Sequence, residues 1–182
     1  MRSTLDVIKE RRSIRKFKPE QIKEEELQAI IEAGLYAPSA INKQSWNFTV
    51  IQNKEILDEL NVATKNVAKN LENEMLRKMG SNEKYNCFYH APTVILVSGK
   101  DNERSKVIDC SAATQNMLIE AKELNIGSCW LGGYPNEDRV QTLKTYFKLP
   151  QNIVPLWMVA FGYPDQKQEP KDKFKESKIR YE

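Results

Sequence analysis

The sequence predicts an α+β protein in which helices cover a small antiparallel or mixed central sheet. Three observations carry this. Val94-Ile95-Leu96-Val97 and the stretch from Ile153 to Phe161 are nearly continuous apolar runs, as expected of buried central strands. Elsewhere apolar residues recur at helical spacing, most densely in the middle of the chain. At 182 residues with 40% hydrophobic content, the chain suits one core, and a single domain over 1–182 is expected. No internal repeat, low-complexity segment or flexible linker divides it.

The elements follow in order. Leu5 and Ile8 mark a short first helix with Ser3 or Thr4 as N-cap, ending near an arginine cluster that falls in a loop. From Ile22, the positions Leu27, Ile30, Ile31, Gly34 and Leu35 share one helical face. Glu24, Glu25 and Glu26 favour its N-terminal end, and Gly34 and Pro38 terminate it. Trp46 to Gln52, with β-branched Thr49, Val50 and Ile51, reads as a strand. Asn53 caps one long helical region whose broken apolar face runs from Ile56 to Met79, with Gly80 as its stop. Pro92 to Ser98 is the first central strand, followed by a helix bearing Ile108, Ala112, Gln115, Asn116, Ile119 and Ala121. Its alanines permit close packing at the protein's centre or at a subunit contact. Cys129 to Tyr134 is a short strand or loop, Asn136 opens a helix reaching about Phe147, and Ile153 to Phe161 is the second central strand. The polar segment from Gly162 to Glu182 reads either as a disordered tail or, through Phe174, Ile179 and Tyr181, as a packing arm.

Composition narrows the function classes. A net charge of +3 with 29% charged residues of both signs is too mild and too mixed for a nucleic-acid binder. The longest apolar run falls far short of the roughly 20 residues that span a bilayer. Met1 to Arg12 is amphipathic and charged, unlike a signal peptide. Three widely spaced cysteines without a Cys-x-x-Cys pair fit a reducing compartment. A soluble cytoplasmic protein without nucleic-acid or membrane partners is expected. Cys87 and His90 have the spacing of half a zinc site, but His90 is the only histidine, and no metal site is expected.

Two segments concentrate chemistry. Arg11-Arg12-Ser13-Ile14-Arg15-Lys16 combines four cations and a hydroxyl, a composition that holds a phosphate through charge-assisted hydrogen bonds. Taken alone, the favoured reading is a solvated charge run. Pro38-Ser39-Ala40-Ile41-Asn42-Lys43-Gln44-Ser45-Trp46 offers amide side chains that both donate to and accept from the edge of a planar heteroaromatic ring. Together they suggest a phosphorylated aromatic cofactor. No Gly-x-Gly-x-x-Gly or Walker sequence is present.

The order of these segments, with Ala91-Pro92, Gly127-Ser128-Cys129-Trp130-Leu131-Gly132-Gly133 and Phe161-Gly162-Tyr163-Pro164, resembles the FMN-dependent nitroreductase family over nearly the whole chain. The resemblance implies a three-layer α+β homodimer with two FMN sites at its interface and residues 163–182 embracing the partner. By the same resemblance, Arg11, Arg12, Ser13 and Arg15 contact phosphate and ribityl or pyrimidine atoms. Pro38, Ser39, Asn42 and Gln44 approach the flavin from the neighbouring subunit or as another wall of the same site. Leu131, Gly132 and Gly133 bring backbone N–H groups close to the ring, where side chains would obstruct. Lys171 and Lys173 complete the phosphate site, or remain simply solvated.

The activity implied is an NAD(P)H oxidoreductase that reduces nitroaromatic, quinone or similar electron-poor small molecules by ping-pong hydride transfer. NADH or NADPH visits transiently, and FMN carries the redox chemistry. Alternatives are another reaction on the same fold (flavin or enone reduction, dehalogenation, dehydrogenation) and, remotely, a basic polyanion-binding protein. No side chain is named as catalytic acid or base. Asp109 and Glu120 are candidate proton donors or structural groups. Tyr36, Trp46, Phe88, Tyr89 and Trp130 are candidate pocket walls or core residues, and the region from Val62 to His90 is expected to cover the substrate.

Overall fold

The computed structural model describes residues 3–101, 103–132, 137–169, 171, 173 and 175–182. Four strands form one sheet in the order β1-β2-β4-β3: β1 (Trp46–Ile51), β2 (Thr93–Lys100), β3 (Gly127–Leu131) and β4 (Ile153–Gly162). All three neighbouring pairs are antiparallel. The expectation of an antiparallel or mixed sheet thus resolves to antiparallel, with one parallel bridge added outside the strands, between Ser13 and Ser128.

The apolar runs become the middle of the sheet because both of its faces are covered. Ile95, Val97, Trp157, Val159 and Phe161 join one buried cluster, and their alternates Val94, Leu96, Met158 and Ala160 join another. This is the period of two that a pleated strand imposes. The first face is covered by α2 (Glu24–Leu35) and α5 (Lys106–Glu123), with Ile30, Ala113, Met117 and Ala121 fully buried. The second is covered by α3 (Lys54–Lys69) and α6 (Glu137–Tyr146), which contribute Leu57, Leu60 and Leu143. The result is three layers, helix, sheet and helix.

Local signals set the ends. Ser3 caps α1 (Thr4–Glu10) through a capping box with Asp6. Asn53 accepts from the Ile56 N–H at 2.9 Å and starts α3. Pro155 is tolerated in central β4 because β3 pairs only with Met158 to Gly162, so the missing N–H falls where β4 is paired on one side, beside a register shift at Val97/Ser98.

The long helical region expected after Asn53 is two helices, α3 and α4 (Glu74–Ser81). Asn73 restarts the helix by accepting from the Leu76 N–H at 3.1 Å, and Gly80 is the crossing point where α4 returns against α3. A Cβ at Gly80 would lie 2.7 Å from the Lys65 carbonyl oxygen and 2.8 Å from the Lys69 nitrogen, so only glycine permits this approach. The helix expected from Asn136 runs over Glu137–Tyr146; Asn136 itself lies outside the described residues.

Candidate functional site

The arginine cluster begins at the C-cap of α1 and runs along the outer edge of β3. Ser13 bridges Ser128, and the Ile14 N–H donates to the Ser128 carbonyl at 2.9 Å. Further on, Phe17 bridges Pro164, the Lys18 N–H donates to the Tyr163 carbonyl, and Lys16 pairs with Asp165 at 2.6 Å. The cluster is therefore fixed to β3 and to the start of the C-terminal segment.

Because this segment is extended, its side chains separate. Arg11 and Arg12 border a cavity of about 350 Å³ with Lys122, Ser128 and Gln166. Arg15 enters a larger cavity of about 700 Å³ with Cys129, Leu131 and Gly132. Burial lowers the Arg11 pKa first and the neighbouring Arg12 cation adds to this, with a smaller opposing effect of Cys129. Arg12 donates to the carbonyls of Lys9 at 2.8 Å and Glu169 at 3.1 Å, and also to that of Arg11. Its Nη2 is buried without a partner. Arg12 thus clamps the C-terminal segment onto the end of α1 and keeps one donor in reserve. Lys171 and Lys173 lie two and four residues after Glu169 and are exposed.

The larger cavity lies between β3 and the α3–α4 hairpin. Val67, Leu71, Met75 and Met79 supply apolar walls, and Phe88, Tyr89 and Trp130 supply rings. The region expected to cover the substrate does line this space. Trp46 is instead core and Tyr36 is an exposed surface residue. Arg15 lies over the Tyr89 ring, 5.9 Å from its centroid. Gly132 has φ +117°, and a Cβ there would sit 2.8 Å from Arg139 Nη1. Gly133 lies outside the described residues. Cys129 and Cys87 both face the cavity, and burial raises both thiols, opposed by Arg15 and Arg11 for Cys129 and by Arg139 and Lys65 for Cys87. Sequence reasoning missed Arg139 as a wall of this cavity, since nothing in its spacing separates it from an ordinary helix-surface arginine.

Pro38, Ser39, Asn42 and Gln44 lie before β1, on the opposite edge of the sheet. Counting the Ser13 segment, four strand spacings separate the two edges, roughly 19 Å. Within one chain, then, Asn42 and Gln44 do not form another wall of the site that holds Arg15. Their loop is strained and anchored. Ile41, Asn42 and Gln44 have positive φ of 44°, 56° and 47°, which is costly for a β-branched residue such as Ile41. The Gln44 N–H donates to Ser39 Oγ at 3.0 Å, and its amide to Asn42 Oδ1 at 3.3 Å. Asp109, 2% exposed, accepts from the Ala40 N–H at 3.1 Å, Ser45 Oγ at 2.9 Å and Ser105 Oγ at 3.0 Å. Of the two roles considered for Asp109, the structural one is realised. Glu120 on α5 has its pKa raised by burial and then by Glu123 and Glu32, and it is absent from the walls of the larger cavity.

These residues fit FMN on grounds internal to the chain. A buried, unpartnered guanidinium nitrogen beside a second, partly desolvated arginine suits a phosphate, and an apolar cavity with a glycine floor suits a flat ring. The nitroreductase family model matches residues 8–163, so the chain belongs to the nitroreductase family. It is 36% identical to a protein of Archaeoglobus fulgidus provisionally named an NADH dehydrogenase/NAD(P)H nitroreductase, covering 100% of this chain and 99% of that one. A crystal structure of a nitroreductase with bound FMN from Bacteroides fragilis superposes with a TM-score of 0.89 at 34% identity, covering 100% of this chain and 99% of that one. An FMN reductase (NADPH) of Bacillus subtilis is 27% identical over 90% of this chain and 67% of its own length. No helix among the described residues is long and apolar enough to cross a membrane.

Proposed function

We propose that this chain is an FMN-dependent NAD(P)H oxidoreductase, active as a homodimer, that reduces nitroaromatic, quinone or similar electron-poor acceptors in a ping-pong cycle. The observation that carries the reading is the pairing of a cationic cluster, Arg11 to Arg15, with the larger cavity floored by Leu131 and Gly132. When bound, FMN supplies hydride acceptance from the nicotinamide and delivery to the acceptor. The chain's own residues bind, orient and enclose. Arg11 and Ser13 hold phosphate, with Lys171 and Lys173 closing over it. Arg12 contributes its spare Nη2 while anchoring the segment that carries those lysines. Arg15 faces the polar edge of the ring, and Leu131, Gly132 and Gly133 back it.

Pro38, Ser39, Asn42 and Gln44 serve the partner's site. The separation of the two edges supports this, as does the apolar surface beside that loop, where Tyr36 is 80%, Ile41 88% and Ile108 74% exposed. Residues 163–182 act as an arm across the partner within one domain of 1–182, consistent with exposed Ile179 and Tyr181.

The test is the visible spectrum of the purified protein, followed by anaerobic titration with NADH and with NADPH. A protein colourless after FMN addition, or a flavin that neither nucleotide bleaches, refutes the reading. The likeness to the Bacillus subtilis reductase favours free-flavin reduction as a second reading. An acceptor panel in which free flavin turns over fast and nitro compounds do not would select it.

A further inference from the structure

Among the aliphatic, thioether and ring walls of the larger cavity stand two phenols, Tyr85 and Tyr89. Their rings meet edge to face, with centroids 6.2 Å apart and planes at 90°. The Tyr85 phenol is pushed above its ordinary value by burial first, then by hydrogen bonding and charge at Tyr89, and last by Cys87 and Cys129. Both thiols are walls of the same cavity, so the hydroxyl end of the pair faces the chamber. A hydrogen bond that raises a phenol is one that the phenol donates. Tyr85 therefore gives its hydrogen to the Tyr89 oxygen, and the Tyr89 hydrogen is left for another acceptor. A hydroxyl that accepts one bond is the stronger donor of the next. Arg15 lies over the Tyr89 ring, 5.9 Å from its centroid, and its cation polarises the phenol in the same sense.

The backbone holds this ring in an unfavourable conformation. Tyr89 and His90 have positive φ of 55° and 57°, which residues with a Cβ rarely adopt. Several bonds enforce it. Asn86 Oδ1 accepts from the Phe88 N–H at 2.8 Å and the His90 N–H at 3.2 Å, and the Asn86 carbonyl accepts from the Tyr89 N–H at 3.1 Å. Asn61 on α3 accepts from the Cys87 N–H at 2.8 Å and ties the turn to the cavity wall. Strain held by so many bonds points to a side chain whose direction is used. We propose that Tyr89 is a specificity-determining residue of the acceptor cavity: its hydroxyl donates to the oxygen of the reducible group, so the preferred acceptors are neutral aromatic rings carrying a carbonyl or nitro oxygen. This rests on the oxidoreductase reading above and assigns the residue that selects within it. Tyr85 is a positioning residue that acts through Tyr89. The carboxamide of a nicotinamide offers the same acceptor oxygen, and the test separates the two sources.

The flavin-loaded protein, kept oxidised, is titrated with acetophenone and with α-methylstyrene, which share a shape and differ by an oxygen in place of a methylene group. Binding is read from the visible spectrum of the flavin. The ratio of the two affinities cancels ring packing and isolates the oxygen. Y89F lowers the relative affinity for acetophenone about fivefold, the loss of one neutral hydrogen bond. Y85F lowers it part of the way, because the donor stays and its partner is lost. The carbonyl stretch of acetophenone bound to the wild type lies below its position in hexane, and Y89F returns it towards that position. A wild-type stretch at the hexane position, a result that needs no variant, overturns the proposal, as does an unchanged affinity ratio in Y89F. A Y89F protein that is bleached more slowly by NADH and NADPH but keeps the wild-type ratio assigns the hydroxyl to the nicotinamide carboxamide, and also overturns it. A wild-type flavin bleached normally beside any of these results refutes this inference alone, whereas failure of the flavin to be bleached at all refutes the reading on which it rests.

Discussion

Replacing Asp109 by alanine tests how the fold holds the loop bearing Pro38, Ser39, Asn42 and Gln44. The buried carboxylate accepts from the Ala40 N–H at 3.1 Å, Ser45 Oγ at 2.9 Å and Ser105 Oγ at 3.0 Å. Hydrogen bonds to a charged acceptor contribute about 1.5–3 kcal/mol each. Ser105 is half-buried and finds water, so the loss is essentially that of two bonds, about 3–6 kcal/mol. Part returns, because releasing the anchor lets Ile41 and Gln44 leave their left-handed conformations, each worth roughly 1 kcal/mol. The net destabilisation is about 1–4 kcal/mol, less than the roughly 5–15 kcal/mol stability of a typical domain. D109A therefore folds, with a lower urea midpoint and, if the loop walls the partner's site as proposed, loss of flavin on gel filtration. D109N, which keeps one acceptor oxygen, falls between. A D109A protein with the wild-type midpoint and full flavin retention would show that the loop is held by something else.

Three further outcomes follow from particular contacts. G80A forces a Cβ to within 2.7 Å of the Lys65 carbonyl oxygen, and overpacking outweighs the gain in helix propensity to leave a net loss of about 1–2 kcal/mol; a thermal melt at or above the wild-type midpoint refutes this. R12A frees the Glu169 carbonyl, so trypsin cleaves at Lys171 and Lys173 sooner and flavin retention weakens, with an unchanged digestion course and occupancy as the contrary result. Burial, aided by the Asp109 charge, pushes the Cys110 thiol up to about 12 from 9.0. Its folded pKa lies above its unfolded one, so its contribution is complete below pH 9.0 and is lost as pH rises towards 12, at a limiting slope of about 1.4 kcal/mol per pH unit. C110A should show a flatter alkaline limb in urea midpoints measured across that window, and an equally steep limb would exclude Cys110 as its source.

Much of the fold was legible because burial writes its period into the chain. The runs around Val94–Val97 and Ile153–Phe161 became β2 and β4, and the apolar faces after Ile22 and around Ile119 became α2 and α5. The break between α3 and α4 was not legible from the apolar spacing, which runs through it. Asn73 and Gly80 announce it only once the return of α4 is known. In the site, residue types that favour an anion and a flat ring were readable, and their partners were not. Arg12 reaches the carbonyl of Glu169 from 157 positions away, and Asp109 reaches Ala40 across 69.

The sequence by itself determined an α+β chain, a cationic segment suited to phosphate, an amide-bearing loop and a glycine beside a short strand, because composition and spacing are local properties. Only the tertiary structure decided that the antiparallel order β1-β2-β4-β3 puts the arginines and the amides on opposite edges, and that Arg139 enters the larger cavity over Gly132. Strand order and helix return arise from contacts between distant segments, and those contacts decide which of many similar side chains share a cavity.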